Sequence, residues 1–244
     1  MNILVHGAAG HMGRVLCGMV EQSDDMTLAG RVDATGADGT LCSLDLFDGE
    51  ADCLIDFSHH SATAHMLDWA QAHAMPVVLA TTGHTEAERA RIQQAAVSIP
   101  VFFSANMSPA VALLASLARQ AARMFPEADI EIVEAHHNRK VDVPSGTALM
   151  LADALKHERP AAELHVGRHE NGKRSPREIG IHSLRMGNEV GTHEIILATA
   201  NETIRLTHQA HDRVLFAAGA LKAARFLAGK PAGLYDMQAL LNER

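Results

Sequence analysis

The chain of 244 residues carries 21 Lys and Arg against 29 Asp and Glu, a formal net charge of −8 with histidines neutral. That balance excludes the basic face that nucleic-acid binding requires, and 47% hydrophobic against 20% charged residues places the chain among those that bury a core. No apolar stretch reaches the roughly 18 residues of a membrane span. Met1-Asn2-Ile3-Leu4-Val5 enters a strand-like run with no basic prefix or cleavage site, so a cytoplasmic protein without membrane partners is expected. Cys17, Cys42 and Cys53 have no paired spacing and read as buried free thiols.

In chain order, short apolar runs alternate with helical patterns, the rhythm of βαβ units and a parallel sheet. Strands are expected at 3–5, 26–32, 53–57, 76–80 and 101–103, and helices at 12–20, 62–72 and 86–97. Continuous apolar strands of this kind suit a sheet covered on both faces. A long Ala/Leu helix over 110–124 opens a different pattern. Strands at 130–133, 163–166, 178–184, 194–198 and 203–207 alternate polar and apolar residues, as in Thr203-Ile204-Arg205-Leu206-Thr207, which predicts a sheet with one open face. A helix over 214–227 and a short one after Tyr235 close the chain, and 171–177 reads as a polar loop. The expected fold is α/β: a Rossmann-like parallel sheet with helices on both faces, then an α+β domain with an open-faced mixed sheet.

Gly7-Ala8-Ala9-Gly10-His11-Met12-Gly13 lies between the first strand and the first helix. There a glycine-rich turn aims backbone N–H groups and a helix N-terminus at a pyrophosphate. The spacing is GxxGxxG rather than GxGxxG, and alone it is also what a plain tight turn produces. Its context adds Asp33, twenty residues past Gly13 at the end of the second strand, where a carboxylate accepts from the adenosine ribose hydroxyls. Ala34 follows, with no arginine just beyond to meet a 2′-phosphate, which favours NADH and leaves NADPH as the alternative. Two further strand ends, Ala80-Thr81-Thr82-Gly83 and Ser104-Ala105-Asn106-Met107, are candidates to face the nicotinamide and its ribose, because ligands of open parallel sheets bind beyond the carboxyl ends of the strands.

The segment from Glu134 to Ala148, EAHHNRKVDVPSGTA, follows one strand and precedes one helix. His136, His137, Arg139 and Lys140 concentrate basic groups in an acidic chain, and Pro144-Ser145-Gly146-Thr147 starts a helix whose first-turn N–H groups attract a carboxylate. His136 is suited to general acid or base work, and Lys140 supplies a point charge or a proton. A small anionic substrate fits all three parts; a solvated basic loop is the bland alternative.

At these residues the sequence resembles the 4-hydroxy-tetrahydrodipicolinate reductase family of diaminopimelate and lysine biosynthesis. The resemblance runs from the glycine loop through Thr81-Thr82-Gly83, Asn106 and the Glu134–Ala148 block to Gly233-Leu234-Tyr235-Asp236-Met237. Ala80 stands where the family commonly has glycine, Met107 where it often has an aromatic, and the stretch between Asp33 and Cys53 is short for the family. The resemblance implies His136 as the acid/base residue, Lys140 as proton donor, and His137, Ser145, Gly146 and Thr147 as contacts of a dicarboxylate substrate. It also implies a homotetramer built through the second sheets and a hinge between domains. Residues 1–107, completed by 213–244, are then expected to bind the dinucleotide, and 108–212 to bind substrate and form the oligomer.

Sixteen histidines invite a metal, but neither His165 with His169 nor His59, His60 and His65 is completed by a familiar ligand set, and no metal is assigned. His208 and His211, just before Arg213, are expected at the hinge. Met12, Met19, Met66, Met124 and Met150 read as core packing. Another two-domain nicotinamide-dependent dehydrogenase of amino-acid metabolism would keep the glycine loop without needing His136, His137 and Lys140; a silent dinucleotide sensor would also keep it, and would bind NADH without turnover.

Overall fold

A computed structural model describes residues 1–169 and 171–243. The chain divides into two compact units, residues 1–108 with 213–243, and residues 109–212.

The first unit is a six-stranded parallel sheet in the order β11-β5-β4-β3-β1-β2, with β1 Asn2–His6, β2 Thr27–Val32, β3 Cys53–Asp56, β4 Val77–Leu79, β5 Pro100–Phe103 and β11 Gly233–Tyr235. Its strands are buried on both faces because alternate side chains serve different layers. Leu4, Leu54, Val77, Leu79 and Val101 pack with Met66, Leu67, Trp69 and Ile92 from α2 (Thr63–Ala72) and α3 (Glu86–Ala95). The residues between them, including Ile3, Val5, Ile55, Val78 and Phe102, are also buried. α1 (His11–Glu21) packs on β1, β2 and α6 (Val214–Leu227), and α6 covers β3, β4 and β5, setting Phe226 5.9 Å from Phe102 edge to face. The chain runs from β1 to β2 on one side and returns to β3 on the other, so the direction of winding reverses at β1. In open α/β sheets, that reversal is where a crevice opens beyond the strand ends.

The second unit is a mixed five-stranded sheet, β10-β9-β6-β8-β7, from β6 (Asp129–His136), β7 (Glu163–Val166), β8 (Glu178–Arg185), β9 (Gly191–Ala198) and β10 (Thr203–Ala210). β6 pairs with β8 in parallel and with β9 antiparallel. Ile130, Ile132, Ile179, Ile181, Ile195 and Leu197 face α4 (Pro109–Met124) and α5 (Gly146–Glu158). Intervening positions carry charge, with Glu131 paired to Arg174 at 2.6 Å and to His182 at 2.9 Å, and Glu194 to Arg205 at 3.0 Å. Hence this sheet shows the two-faced alternation of its sequence.

Several expectations are corrected. β6 continues three residues past 133 and carries Glu134, Ala135 and His136 as strand rather than loop, because all three are buried against β8 and β9. His208 lies inside β10, opposite His193, one residue beyond the expected end of that strand. Gly233-Leu234-Tyr235 is a strand paired with β5, too short for the alternation to reveal. Met124 is 70% exposed at the end of α4 and is no core residue. Cys42 is exposed, whereas Cys17 and Cys53 are buried as expected. The short stretch after Asp33 is irregular, yet Leu44 is fully buried, and Phe47 packs on Trp69, with ring centroids 6.3 Å apart.

Candidate active site

In the first unit the glycine loop leaves β1 and turns into α1 under steric rules that only glycine satisfies. Gly7 has φ +80°, and a Cβ there would stand 2.6 Å from the Phe57 carbonyl carbon and the Ser58 nitrogen; a Cβ on Gly13 would overlap the Gly7 carbonyl oxygen. Gly10 caps α1 with an extended backbone and no side-chain bond, so the start of the helix offers backbone N–H groups at His11, Met12 and Gly13 instead of a capping side chain. A cradle that a Cβ would fill, at a helix N-terminus, fits a pyrophosphate. Asp33 is bound into the same turn. Its Oδ2 accepts from Ala9 N at 3.1 Å and its Oδ1 from Thr35 N at 3.0 Å and Thr35 Oγ1 at 2.7 Å. Partial burial opposes ionisation of Asp33, but these hydrogen bonds outweigh it and hold the carboxyl below its usual range.

A buried carboxylate that sequence reasoning missed joins the strand ends. Asp56, at the end of β3, accepts from Thr81 Oγ1 at 2.6 Å and Ser58 N at 3.2 Å, and lies 2.8 Å from His6 Nδ1 at the end of β1. Full burial pushes its carboxyl up; the bonds from His6, Ser58 and Thr81 overcome this and keep it below the normal value. Of the expected crest residues, Thr81 is therefore buried in this network, while Thr82 and Gly83 are exposed and Ala80 is half-buried with its N–H on the Asp56 carbonyl at 3.0 Å. The other crest is a turn with hydrogen bonds of its own. Ser104 Oγ donates to the Asn106 carbonyl at 2.7 Å, and Asn106 Oδ1 accepts from Ser108 N at 2.8 Å. Ala105 is exposed and Met107 is buried, where its carbonyl closely approaches Gly219 of α6.

In the second unit the Glu134–Ala148 block closes on itself. Ser145 caps α5, its Oγ accepting from Ala148 N at 3.2 Å, and its hydroxyl lies 3.1 Å from His193 Nε2. Burial, then the charge of nearby His136, push His193 down to about 4. Its Nε2 shares a hydrogen bond with the Ser145 hydroxyl, and its Nδ1 is buried without a hydrogen-bond partner. Gly146 is exposed and Thr147 half-buried in the first turn of α5. His137 is half-buried, and its carbonyl accepts from Lys140 N at 3.1 Å. Lys140 is mostly buried, with Nζ 2.8 Å from Asp142 Oδ1.

Glu134 is fully buried at the centre of this set. Oε1 accepts from Ser145 N at 3.3 Å and Arg185 Nη2 at 2.9 Å; Oε2 accepts from Arg185 Nη1 at 3.0 Å and hydrogen-bonds with His136 Nδ1. Burial works against the charged form, but His136 and Arg185 overcome it and hold the carboxyl far below the ordinary range. The ligand-type atoms of Glu134, His136 and His193 lie within 4.8 Å of one another. Both oxygens of Glu134 are already engaged by the Arg185 guanidinium, so its charge is balanced by a side chain. Glu134, Arg185 and His193 escaped the sequence reading because sheet register brings them together: His136 faces Arg185 across β6 and β8, and Glu134 faces His193 across β6 and β9. One signal was present, a glutamate and a histidine two residues apart, in phase with Ile130 and Ile132 and hence on the face of β6 that is otherwise apolar.

Comparisons with known proteins cover the chain twice over. Residues 1–107 match the family model for the dihydrodipicolinate reductase N-terminus and residues 110–241 that for its C-terminus. A 4-hydroxy-tetrahydrodipicolinate reductase of Caldanaerobacter subterraneus is 42% identical over 248 residues, covering 100% of this chain and 99% of that protein. One from Burkholderia mallei is 42% identical over 265 residues with the same coverage. Among solved structures, a dipicolinate-bound dihydrodipicolinate reductase from Paenisporosarcina sp. TG-14 aligns with a TM-score of 0.80 at 22% identity over 97% of both chains. A myo-inositol dehydrogenase from Corynebacterium glutamicum aligns at 0.60 and 15% identity, over 94% of this chain and 90% of that one. These two structural likenesses concern the fold.

Proposed function

The chain belongs to the dihydrodipicolinate reductase family, and on that footing we propose that it reduces 4-hydroxy-tetrahydrodipicolinate to tetrahydrodipicolinate, with NAD(P)H as hydride donor and loss of water, in diaminopimelate and lysine biosynthesis. The observation that carries this reading is the buried Glu134, which binds both the His136 ring and the start of α5. An acid/base group is thereby tied to a helix N-terminus that attracts carboxylates. The dinucleotide would be held by the amides of the Gly7–Gly13 loop, with Asp33 toward the ribose and the Thr81–Gly83 and Ser104–Met107 crests toward its other end. When bound, it supplies the hydride. This chain's own residues grip the dianion through Ser145, Gly146, Thr147 and His137 and deliver the proton from the His136 and Lys140 side. Substrate, reduced cofactor and one proton give product, oxidised cofactor and water.

Asp33 followed by Ala34 supports NADH as the preferred donor, because a carboxylate at the ribose repels a 2′-phosphate and no arginine follows to offset it. Ala34→Arg is expected to raise kcat/KM with NADPH at least about fivefold relative to NADH, read in paired assays of the two donors. The family reading further supports a cytoplasmic homotetramer, which light scattering would report as four times the mass of one chain. The decisive assay follows oxidation of NADH with freshly generated hydroxy-tetrahydrodipicolinate. Consumption only when that substrate is present is expected, and His136→Ala or Lys140→Ala should each lower kcat roughly 10²-fold. Near-wild-type turnover in both variants would remove the proton roles given to them, and binding of NADH without turnover would mark a sensor.

A further inference from the structure

Four donors converge on the Glu134 carboxylate, the Ser145 amide, two nitrogens of Arg185 and the His136 ring, and the Ser183 hydroxyl beside them also favours its charged form. Three of the four can only donate. The Ser145 amide keeps its proton, and a guanidinium has no acceptor. The fourth, His136 Nδ1, is the one atom of the set able to change role, since a neutral imidazole carries its proton on either nitrogen. The ring has little room to escape. It is buried, stands edge to face with His193 at 5.2 Å, and lies so close to β9 that a Cβ on Gly191 would be 3.1 Å from its Nε2. Arg185 is held in turn by the Asp142 and Leu184 carbonyls, both at 2.7 Å from guanidinium nitrogens.

We propose that Glu134, clamped by Arg185, is a positioning residue that fixes His136 as the Nδ1–H tautomer, so that Nε2 is the nitrogen that exchanges the proton with substrate. An inward Nδ1–H satisfies the buried carboxylate and leaves the lone pair on Nε2; protonation at Nε2 then creates an imidazolium whose new charge is met at once by Glu134. The same carboxylate holds Ser145 N, so the proton carrier and the helix that receives the substrate carboxylate are set by one group. This rests on the reading of His136 as the acid/base residue.

The test exchanges the carboxylate for its isosteric amide. In Glu134→Gln the carbonyl oxygen is held at the Oε1 position by two donors that cannot adapt, Ser145 N and Arg185 Nη2, which turns the NH2 toward His136 Nδ1 and against Arg185 Nη1. The ring then accepts there and carries its proton on Nε2. Nitrogen-15 NMR of the His136 ring in the full-length protein is expected to show Nδ1–H in the wild type and Nε2–H in Glu134→Gln. Alongside this, kcat should fall roughly 10²-fold while KM changes less than about threefold. Glu134→Asp, which keeps the charge, should keep the Nδ1–H tautomer. Should the amide strand Arg185 so that the protein does not fold, Glu134→Gln with Arg185→Met removes both buried charges and carries the same readout. An Nδ1–H ring in the amide variants would overturn the proposal. Full turnover in His136→Ala would instead overturn the role of His136, and the two failures are seen in different measurements.

Discussion

His193 shows how one buried side chain sets a pH limit. Its conjugate acid forms in the folded protein only at about 4, because burial and the neighbouring His136 disfavour a second charge; in the unfolded chain it titrates at its ordinary value of 6.5. Between those values the unfolded state binds more protons, so stability rises with pH in this window and is fully present above about 6.5. As pH falls toward about 4 the group should remove about 3 kcal/mol. Urea midpoints measured from pH 7 to 4 are expected to fall less steeply for His193→Gln than for the wild type; parallel curves would contradict this account. Gly7 and Gly13, whose steric demand follows from their own type and spacing, were readable from the sequence, and Asp33, His136 and Lys140 are proposed on the same ground. Glu134, Arg185 and Asp56 were not readable, because their significance depends on which strands lie beside them, and register follows from packing that no local pattern encodes.

At the scale of elements, strand and helix periods identified most of the framework, and the misses have physical causes. β6 outruns its apolar run because its last residues bury polar groups that satisfy one another, so hydrophobicity stops before the strand does. β11 is a three-residue edge strand whose pairing with β5 follows from the return of the chain after the second unit, which no local pattern signals. The start of α1 is legible for the opposite reason, since close backbone approach leaves only one residue type possible. Gly13→Ala should therefore push the turn away from α1 and lower NADH affinity at least about tenfold. Fluorescence titration of the reduced cofactor would read this, and unchanged affinity would separate the glycine loop from dinucleotide binding.

At the scale of the molecule, the described residues hold two sheets with separate clusters of buried side chains, one on Leu54 and Trp69 and the other on Ile132 and Leu151. If the first unit binds the dinucleotide, NADH at a hundred times its dissociation constant should stabilise it by about 2.7 kcal/mol. Scanning calorimetry should then show a melting transition rising by several degrees with NADH and not with adenine alone; no shift at saturation would count against the assignment. The first unit is also discontinuous in sequence, since β11 and α6 belong to it but follow the second unit. During synthesis, the opening 108 residues are joined roughly 5–20 s before residue 213 is added. Throughout that interval the surface of Phe102 and its neighbours lacks α6, and β5 is an open edge. The nascent chain thus waits with a sticky flank until its own tail arrives, and a truncation before Val214 would leave that flank exposed to chaperones and proteases for good.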